Sequence, residues 1–372
     1  MRVTIERAAL LKALSHVQSV VERRNTIPIL SNVLVHADGT GLRLTATDLD
    51  VEIVEAVPAD VSQPGGTTAP AHMMYDIVRK LPDGAQLEIE QGPDENRLMV
   101  FTGRSQFALQ ALPAEDFPDL TAGELTHRFP IGPSELKTLI EKTRFAISTE
   151  DTRYYLNGIF LHEVTADGIA MLRAVATDGH RLAQVQFPLP EGAQGMPSVI
   201  VPRKTVLELH KLIEDEQNSV EVALSSSKIR FSFGSAVLTS KLIDGDFPDY
   251  ERVIPKDNDK VMEVDSRLFA QAVDRVSTIS SERGRAVKLN IEADRVTLAV
   301  NNPDSGSATE ELAVSYSSEP IEIGFNARYL LDITGQLQGP NARFLLADSG
   351  SPTVVRDADD DAALYVLMPM RV

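Results

Sequence analysis

"TATDLD" at residues 45–50 and "VATDGH" at residues 175–180 place Thr47-Asp48 and Thr177-Asp178 130 positions apart. "AEDFPDL" (114–120) and "DGDFPDY" (244–250) place Phe117-Pro118-Asp119 and Phe247-Pro248-Asp249 at the same separation. Two unrelated segments that share one offset mark an internal repeat, and a repeat governs the fold of any chain that carries it. A diverged third copy follows, with "LAVNNPDSG" (298–306) in the place of the Thr-Asp segment and the chain ending where the Phe-Pro-Asp segment would begin. The repeat predicts three domains, 1–125, 126–256 and 257–372, the second junction falling in the polar run "PKDNDK" (255–260), which reads as a linker.

Within each repeat the sequence divides again into two half-units, each a short strand feeding an amphipathic helix. The strand-to-helix starts are "RVTIERAALLKAL" (2–14), "TTAPAHMMYDIVRKL" (67–81), "RFPIGPSELKTLI" (128–140), "SVIVPRKTVLELHKLI" (198–213), "VMEVDSRLFAQAV" (261–273) and "IEIGFNARYLLDI" (321–333). Each helix opens on Pro, Ser, Asn or Glu and carries apolar residues at three- and four-residue spacing, as in Leu136, Leu139 and Ile140. Helices are thus predicted within 6–20, 70–80, 133–147, 202–214, 266–280 and 326–337. The alternating runs that follow, such as "QLEIEQ", "KIRFSF" and "RVTLAV", read as antiparallel hairpins buried on one face. The predicted class is α+β: three pseudo-repeated domains, each with two helices on one side of antiparallel sheets.

The 372 residues carry 36 Lys and Arg against 54 Asp and Glu, a net charge of −18, which taken alone argues against a nucleic-acid partner. The charge is segregated, however. The six helical windows hold 13 basic and 8 acidic residues, leaving 23 basic and 46 acidic residues elsewhere. If the helices share one side, that side is mildly basic, a surface that tolerates DNA without gripping it or reading its bases. With no cysteine, disulfides, thiolate catalysis and Cys-ligated zinc are excluded. No run of 18 uncharged apolar residues occurs and Glu6, Arg7 and Lys12 interrupt the start, so a cytoplasmic protein is expected.

Asp178 and His180 lie two apart at a strand end and share a face in extended backbone, which would suit an acid and a base. The competing reading is a tight turn, with Asp and Gly as turn formers. Asp48, Asp50 and Glu52 alternate as a cation site might, but exposed carboxylates do so commonly in an acidic chain; "RDADDDA" (356–362) lacks the Gly and Glu of a calcium loop. No phosphate-binding glycine loop, nucleophile elbow or H-E-x-x-H motif is present. The terminus "LYVLMPMRV" (364–372) is uncharged until Arg371, so it either packs or lines a site for a partner. A hydrolase using Asp178 and His180, an interaction scaffold and a DNA-facing protein all remain open on these residues.

Taken in order, "NTIPILSNVLV", "TRYYLNGIFL", "TDGHRLA", "VIVPRK", "DGDFPDYERVIP" and "YVLMPMRV" resemble the bacterial DNA polymerase III beta subunit family, the replicative sliding clamps, over the whole chain. The resemblance implies a head-to-tail homodimer whose six domains close a ring around double-stranded DNA, helices inside and sheets outside. It implies no catalysis and no cofactor; the ring tethers polymerase topologically. The implied partners are the DNA polymerase III alpha subunit, clamp-loader subunits, and other DNA polymerases and repair proteins that insert linear motifs into a groove between the second and third domains.

For that groove the matching positions are Leu156, Thr177, Gly179, His180, Arg181 and Leu182, then Pro248, Arg252 and Val253, then Val366, Met368, Pro369, Met370 and Arg371. On the DNA side they are Arg24, Tyr154, Tyr155, Arg203, Lys204, Asn326 and Tyr329. Gly284 stands where some relatives are expected to carry an aromatic DNA contact. For ring closure, Phe107 and Leu109 against Ile279 are the candidates.

Overall fold

Glu6 ends the first strand and caps the first helix at once. Its carboxylate accepts the Ala9 N–H at 3.1 Å, satisfying one of the donors that a helix start leaves open. Asp265 does the same for Leu268 at 2.7 Å and Asn326 for Arg328 at 3.0 Å. The computed structural model, which describes residues 1–92, 96–120, 123–280 and 286–371, places α-helices at α1 (Arg7–Val17), α2 (Ala71–Lys80), α3 (Pro133–Glu141), α4 (Arg203–Leu212), α5 (Ser266–Ser277) and α6 (Ala327–Thr334). Each lies inside a predicted window. The 133–147 window stops short because the chain leaves the α-helix after Glu141 and tightens into a 3₁₀ turn at Arg144–Ala146. Gly284 lies outside the described residues.

The chain forms two compact units. Met1–Lys137, Pro190–Pro197 and Lys204–Leu242 make the first; Thr138–Leu189, Ser198–Arg203 and Ile243–Val372 make the second. The first unit holds a five-stranded antiparallel sheet, ordered Asp60–Gln63, Arg2–Glu6, Gln86–Gln91, Arg97–Thr102, Ser105–Gln110. It also holds an eight-stranded one, ordered His127–Ile131, Val220–Leu224, Lys228–Phe233, Ala236–Lys241, Val51–Val57, Gly41–Thr47, Asn32–Asp38, Gly65–Pro70. In the second unit the eight-stranded sheet runs Val199–Pro202, Gly158–Ala166, Ile169–Thr177, Arg181–Pro188, Ala363–Leu367, Thr353–Asp357, Asn341–Leu346, Lys260–Asp265. A four-stranded sheet completes it, ordered Gly306–Ala313, Arg295–Asn302, Ala286–Glu292, Ile321–Asn326.

Each eight-stranded sheet takes four strands from one sequence repeat and four from the next. The joins are Ala236–Lys241 on Val51–Val57 and Arg181–Pro188 on Ala363–Leu367, both antiparallel. The middle repeat therefore gives strands to both units.

Strand alternation sets the layers. Lys228–Phe233 and Asn341–Leu346 bury every second residue, the inward positions being the apolar ones. In the first unit α1 lays Leu10, Leu14 and Val17 against the strands Gly41–Thr47 and Val51–Val57, with Leu42, Leu44 and Ile53 beneath. In the second, Phe269 of α5 meets Phe344 with ring centroids 5.2 Å apart, both fully buried. Each such side chain taken out of water contributes about 1.5–3 kcal/mol, which is why helices this short hold.

Candidate functional site

The Thr-Asp pair builds the same turn in both repeats. Thr177 Oγ1 donates to the Arg181 carbonyl at 2.7 Å and accepts the Gly179 N–H at 3.1 Å; Asp178 Oδ1 accepts the N–H groups of His180 and Arg181 at 2.9 and 3.1 Å. Thr47 and Asp48 reproduce all four bonds with Val51, Leu49, Asp50 and Val51 in turn. The residue after the Asp takes positive φ in both, +87° at Gly179 and +79° at Leu49. The remaining Asp178 oxygen receives Arg181 Nε at 3.2 Å. Asp178 thus meets His180 through the backbone, and its carboxylate is occupied by the turn and by Arg181.

Beyond the turn, strand register decides what shares a surface. Leu182 stands opposite Thr177 on one side and Val366 on the other, Val366 stands opposite Val354, and Gln184 stands between Val175 and Leu364. Directly paired residues project from the same face of a sheet. The result is one apolar cluster of Val175, Leu182, Tyr250, Val354, Leu364 and Val366, with Phe160, Phe247, Ile254 and Leu345 packed against it. Phe247 stacks on Phe160 at 4.7 Å with rings 4° from parallel, which seats the Phe-Pro-Asp segment on the sheet. The Tyr250 hydroxyl is tied at 3.0 Å to both His162 Nε2 and Arg173 Nη1, and Arg173 pairs with Glu251 at 2.9 Å. Burial, helped by the Arg173 charge, holds His162 below the ordinary imidazole range.

Around this floor stand exposed side chains, Val253 half exposed and Met368 42% exposed. Pro248 and Arg252 are exposed as well, Arg252 being held to Asp249 at 2.6 Å. The terminal segment is fastened: the Met368 N–H bonds the His180 carbonyl at 3.0 Å and the Met370 N–H the Gly324 carbonyl at 2.8 Å, leaving Pro369 half-buried and Arg371 exposed. Leu156, closing the short helix Asp151–Leu156, is buried, and His180 is exposed. The sequence reading missed Val175, Val354, Leu364 and Phe247; Leu364, two residues before Val366, and Val175, two before Thr177, alternate with residues already singled out, whereas Val354 and Phe247 lie on other segments with no such signal.

Arg181 does not join this surface. It follows the strand's alternation to the opposite, helix-covered face, where its guanidinium donates to Asp332 at 2.5 Å and the Phe145 carbonyl at 2.6 Å. There it lies over the Tyr329 ring at 4.2 Å and the Phe145 ring at 5.1 Å. On the same side a cleft of about 530 Å³ gathers Arg144, Arg203, Arg328, His180, Asn326 and Tyr329. Arg203, Asn326 and Tyr329 are thereby brought together, with Asn326 Oδ1 also capping α6. Tyr154, half exposed, meets Tyr155 edge to face at 5.7 Å. In the first unit Arg24 is exposed, whereas the Lys204 ammonium is engaged by the Val20 carbonyl at 3.2 Å, by Glu22 at 3.4 Å and by Asp48. Burial pulls the Lys204 pKa down, but the Asp48 hydrogen bond and both carboxylates carry it above the ordinary lysine range.

All four sheets have open edges; the five-stranded one ends on Ser105–Gln110 in the first unit and the four-stranded one on Gly306–Ala313 in the second. Phe107 is half-buried on the first of these, and Leu109 is only 4% exposed, facing its own core. Ile279, half-buried past the end of α5, offers its carbonyl to Asn302 at 2.9 Å. Of the alternating carboxylates, Asp48 is on Lys204, Asp50 on Lys241 at 3.1 Å, and Glu52 is buried. Among the described residues no group of three or more His, Asp or Glu is placed to hold a metal ion, and no helix is long and apolar enough to cross a membrane.

Models of the three DNA polymerase III beta subunit domains match the chain in order: the N-terminal domain over residues 1–121, the central domain over 130–249 and the C-terminal domain over 251–371. The beta sliding clamp of Caulobacter vibrioides is 58% identical over 372 residues, and that of Escherichia coli K12 43% identical over 376, with both chains covered fully in each case. Among solved structures, the C. crescentus beta sliding clamp with PEG bound to a putative beta-motif tethering region superposes with a TM-score of 0.98 at 58% identity, covering 100% of this chain and 99% of that one. The Bartonella birtlesii DnaN sliding clamp bound to griselimycin gives 0.97 at 54% identity, with full coverage of both.

Proposed function

The chain belongs to the DNA polymerase III beta subunit family and works as a sliding clamp, and from that premise we propose how its parts are used. Its three domains, 1–125, 126–256 and 257–372, pair with those of a second copy head to tail and close a ring around double-stranded DNA. The edges at Ser105–Gln110 and Gly306–Ala313, two of the open edges of the sheets, support this, since an open edge is a template for another strand. Joining Ser105–Gln110 of one copy to Gly306–Ala313 of the other, twice, closes a two-membered ring, with Phe107 and Ile279 at the seam. Arg24, Tyr154, Tyr155, Arg203, Asn326 and Tyr329 face the DNA, with Lys204 reaching it only if it leaves Asp48. Holding is topological, so no catalytic group is required and the protein acts in the cytoplasm as a tether.

The observation that carries the partner side is the apolar floor formed across the join of strands Arg181–Pro188 and Ala363–Leu367, Leu182 beside Val366, under the exposed Val253 and Met368. It receives linear motifs with apolar anchors from the DNA polymerase III alpha subunit, clamp-loader subunits, other DNA polymerases and repair proteins, in turn. An anchor fully buried there is worth about 1.5–3 kcal/mol, so two or three yield an exchangeable affinity.

The test loads the protein onto nicked circular DNA with clamp loader and ATP, linearises the DNA, and follows retention. Retention should collapse once ends exist; unchanged retention would remove enclosure. In parallel, deletion of residues 368–372 should abolish binding of a labelled motif peptide and leave the dimer intact, and undiminished peptide binding would remove the groove.

A further inference from the structure

The first unit carries a counterpart of the groove face with different chemistry. Its eight-stranded sheet pairs His36 with Arg43, Glu52 with Thr239, and Thr239 with Arg230, just as the second unit pairs His162 with Arg173, Leu182 with Val366, and Val366 with Val354. Phe117-Pro118-Asp119 stands over it as Phe247-Pro248-Asp249 stands over the groove. Leu182, Val366 and Val354 are thus replaced by Glu52, Thr239 and Arg230. A cleft of about 640 Å³ opens on this face, within the range of small-ligand and peptide pockets.

Glu52 is the anomaly. It is 2% exposed, it lines the cleft, and its Oε1 has no hydrogen-bond partner among the described residues, while Oε2 accepts the Leu120 N–H at 3.3 Å. A buried acceptor left unmade is costly, and in a native structure it calls for a partner. Arg230, whose Nε is on Thr239 Oγ1 at 3.2 Å, and Arg43 line the same cleft, with Leu34, Val54 and Val237 supplying apolar wall.

We propose that this cleft is a second ligand site, which takes a peptide segment presenting a primary carboxamide to Glu52 and an apolar side chain to Leu34, Val54 and Val237. Complementarity selects the carboxamide. Its N–H₂ donates to the Glu52 carboxylate, whose Oε1 is closed to solvent in the free protein and turns toward the cleft on binding, its carbonyl accepts from a guanidinium, and it carries no charge. A ligand carboxylate would face Glu52 and Asp119; an ammonium would face Arg43 and Arg230. Choosing a peptide over a free amide rests on the reading of the groove, whose Phe-Pro-Asp wall this cleft repeats.

The experiment uses the full-length protein with ¹³C-labelled Leu and Val methyls, titrated with acetyl-Gln-Leu N-methylamide and, as controls, the Glu and Lys analogues. The Gln probe should shift Leu34, Val54 and Val237 and bind about tenfold more tightly than either control, a factor that corresponds to about 1.4 kcal/mol. Glu52→Leu should weaken the Gln probe about tenfold. Val237→Phe, which fills the cleft without touching Glu52, should abolish the shifts. Unmoved Val54 and Val237 resonances, equal affinity for the three probes, or undiminished affinity in Glu52→Leu would each overturn the proposal. Leu364 and Val366 methyls report the groove separately, so failure there counts against the groove reading alone.

Discussion

Replacing Glu52 by Leu, the residue at the equivalent position 182, is expected to stabilise the first unit, and more so at pH 7.5 than at pH 4.5. Three contributions set the magnitude. Removing a buried acceptor that lacks a partner recovers about 1–3 kcal/mol, and burying a leucine side chain adds about 1.5–3 kcal/mol. Against these, the Leu120 N–H loses its acceptor at 3.3 Å, about 1–3 kcal/mol. The net is about 2 kcal/mol, or ~4–8 °C in Tm at roughly 2–4 °C per kcal/mol for a unit of this size. The pH dependence follows from burial, which lifts the Glu52 carboxyl above its ordinary 4.5 although the Leu120 N–H and the Arg230 and Lys228 charges pull the other way. With the folded pKa above the unfolded one, the native state binds the proton more tightly, so the parent protein is favoured below about 4.5 and loses that increment as pH rises through the folded value. The leucine variant has nothing to titrate there, and the gap between the two should widen with pH. Scanning calorimetry of both proteins at the two pH values is the assay. A variant that melts at or below the parent at pH 7.5, or a gap that is the same at both, would refute the reasoning.

Two further substitutions probe the second unit. Arg181→Met should cost about 2–4 kcal/mol in urea unfolding, because it strands Asp332 and the Phe145 carbonyl beneath the sheet, the exposure of Asp332 keeping the loss below that of a fully buried pair. Arg181→Lys should restore less than half of it, since an ammonium cannot stack as a plane between Tyr329 and Phe145; full recovery would show that charge alone matters. Val253→Ala combined with Met368→Ala should leave Tm almost unchanged, both side chains being about half exposed, yet weaken a motif peptide about tenfold by calorimetry. Unaltered affinity would mean that the peptide bypasses the rim.

How far the sequence discloses such a molecule depends on the range over which each signal acts. The 130-residue offset was legible because a turn is local: the Thr side chain bonds the carbonyl four residues on, the Asp bonds N–H groups two and three residues on, and the same four bonds recur at Thr47-Asp48 and Thr177-Asp178. Helix positions were legible for the same reason, their caps reaching only two or three residues ahead, as at Glu6, Asp265 and Asn326. Pairing between strands nearly two hundred residues apart leaves no local mark. Nothing local in "RLAQV" shows that it will lie beside "ALYVL"; Leu182 and Val366 were set in one groove by the family resemblance, and the strand join that makes them neighbours came only from the fold. Long-range charge pairing misled in the same way: Lys204 counted toward a basic helix face until Asp48, 156 residues away in sequence, proved to hold it.

Arg181 differs from these cases: the resemblance set it in the groove with Leu182, whereas the period-two rule of strands, already legible in the sequence, places the two on opposite faces. Applied to "DVEIVEAV", that rule puts Glu52 on the face that Leu182 occupies in the next repeat. A carboxylate at an apolar position of a repeated fold carries a cost that the repeat itself makes visible, since the same backbone elsewhere in the chain accepts leucine. The divergence between the two faces is therefore chemical and not architectural: one sheet design, used twice, offers an apolar floor in one unit and a buried hydrogen-bonding group in the other.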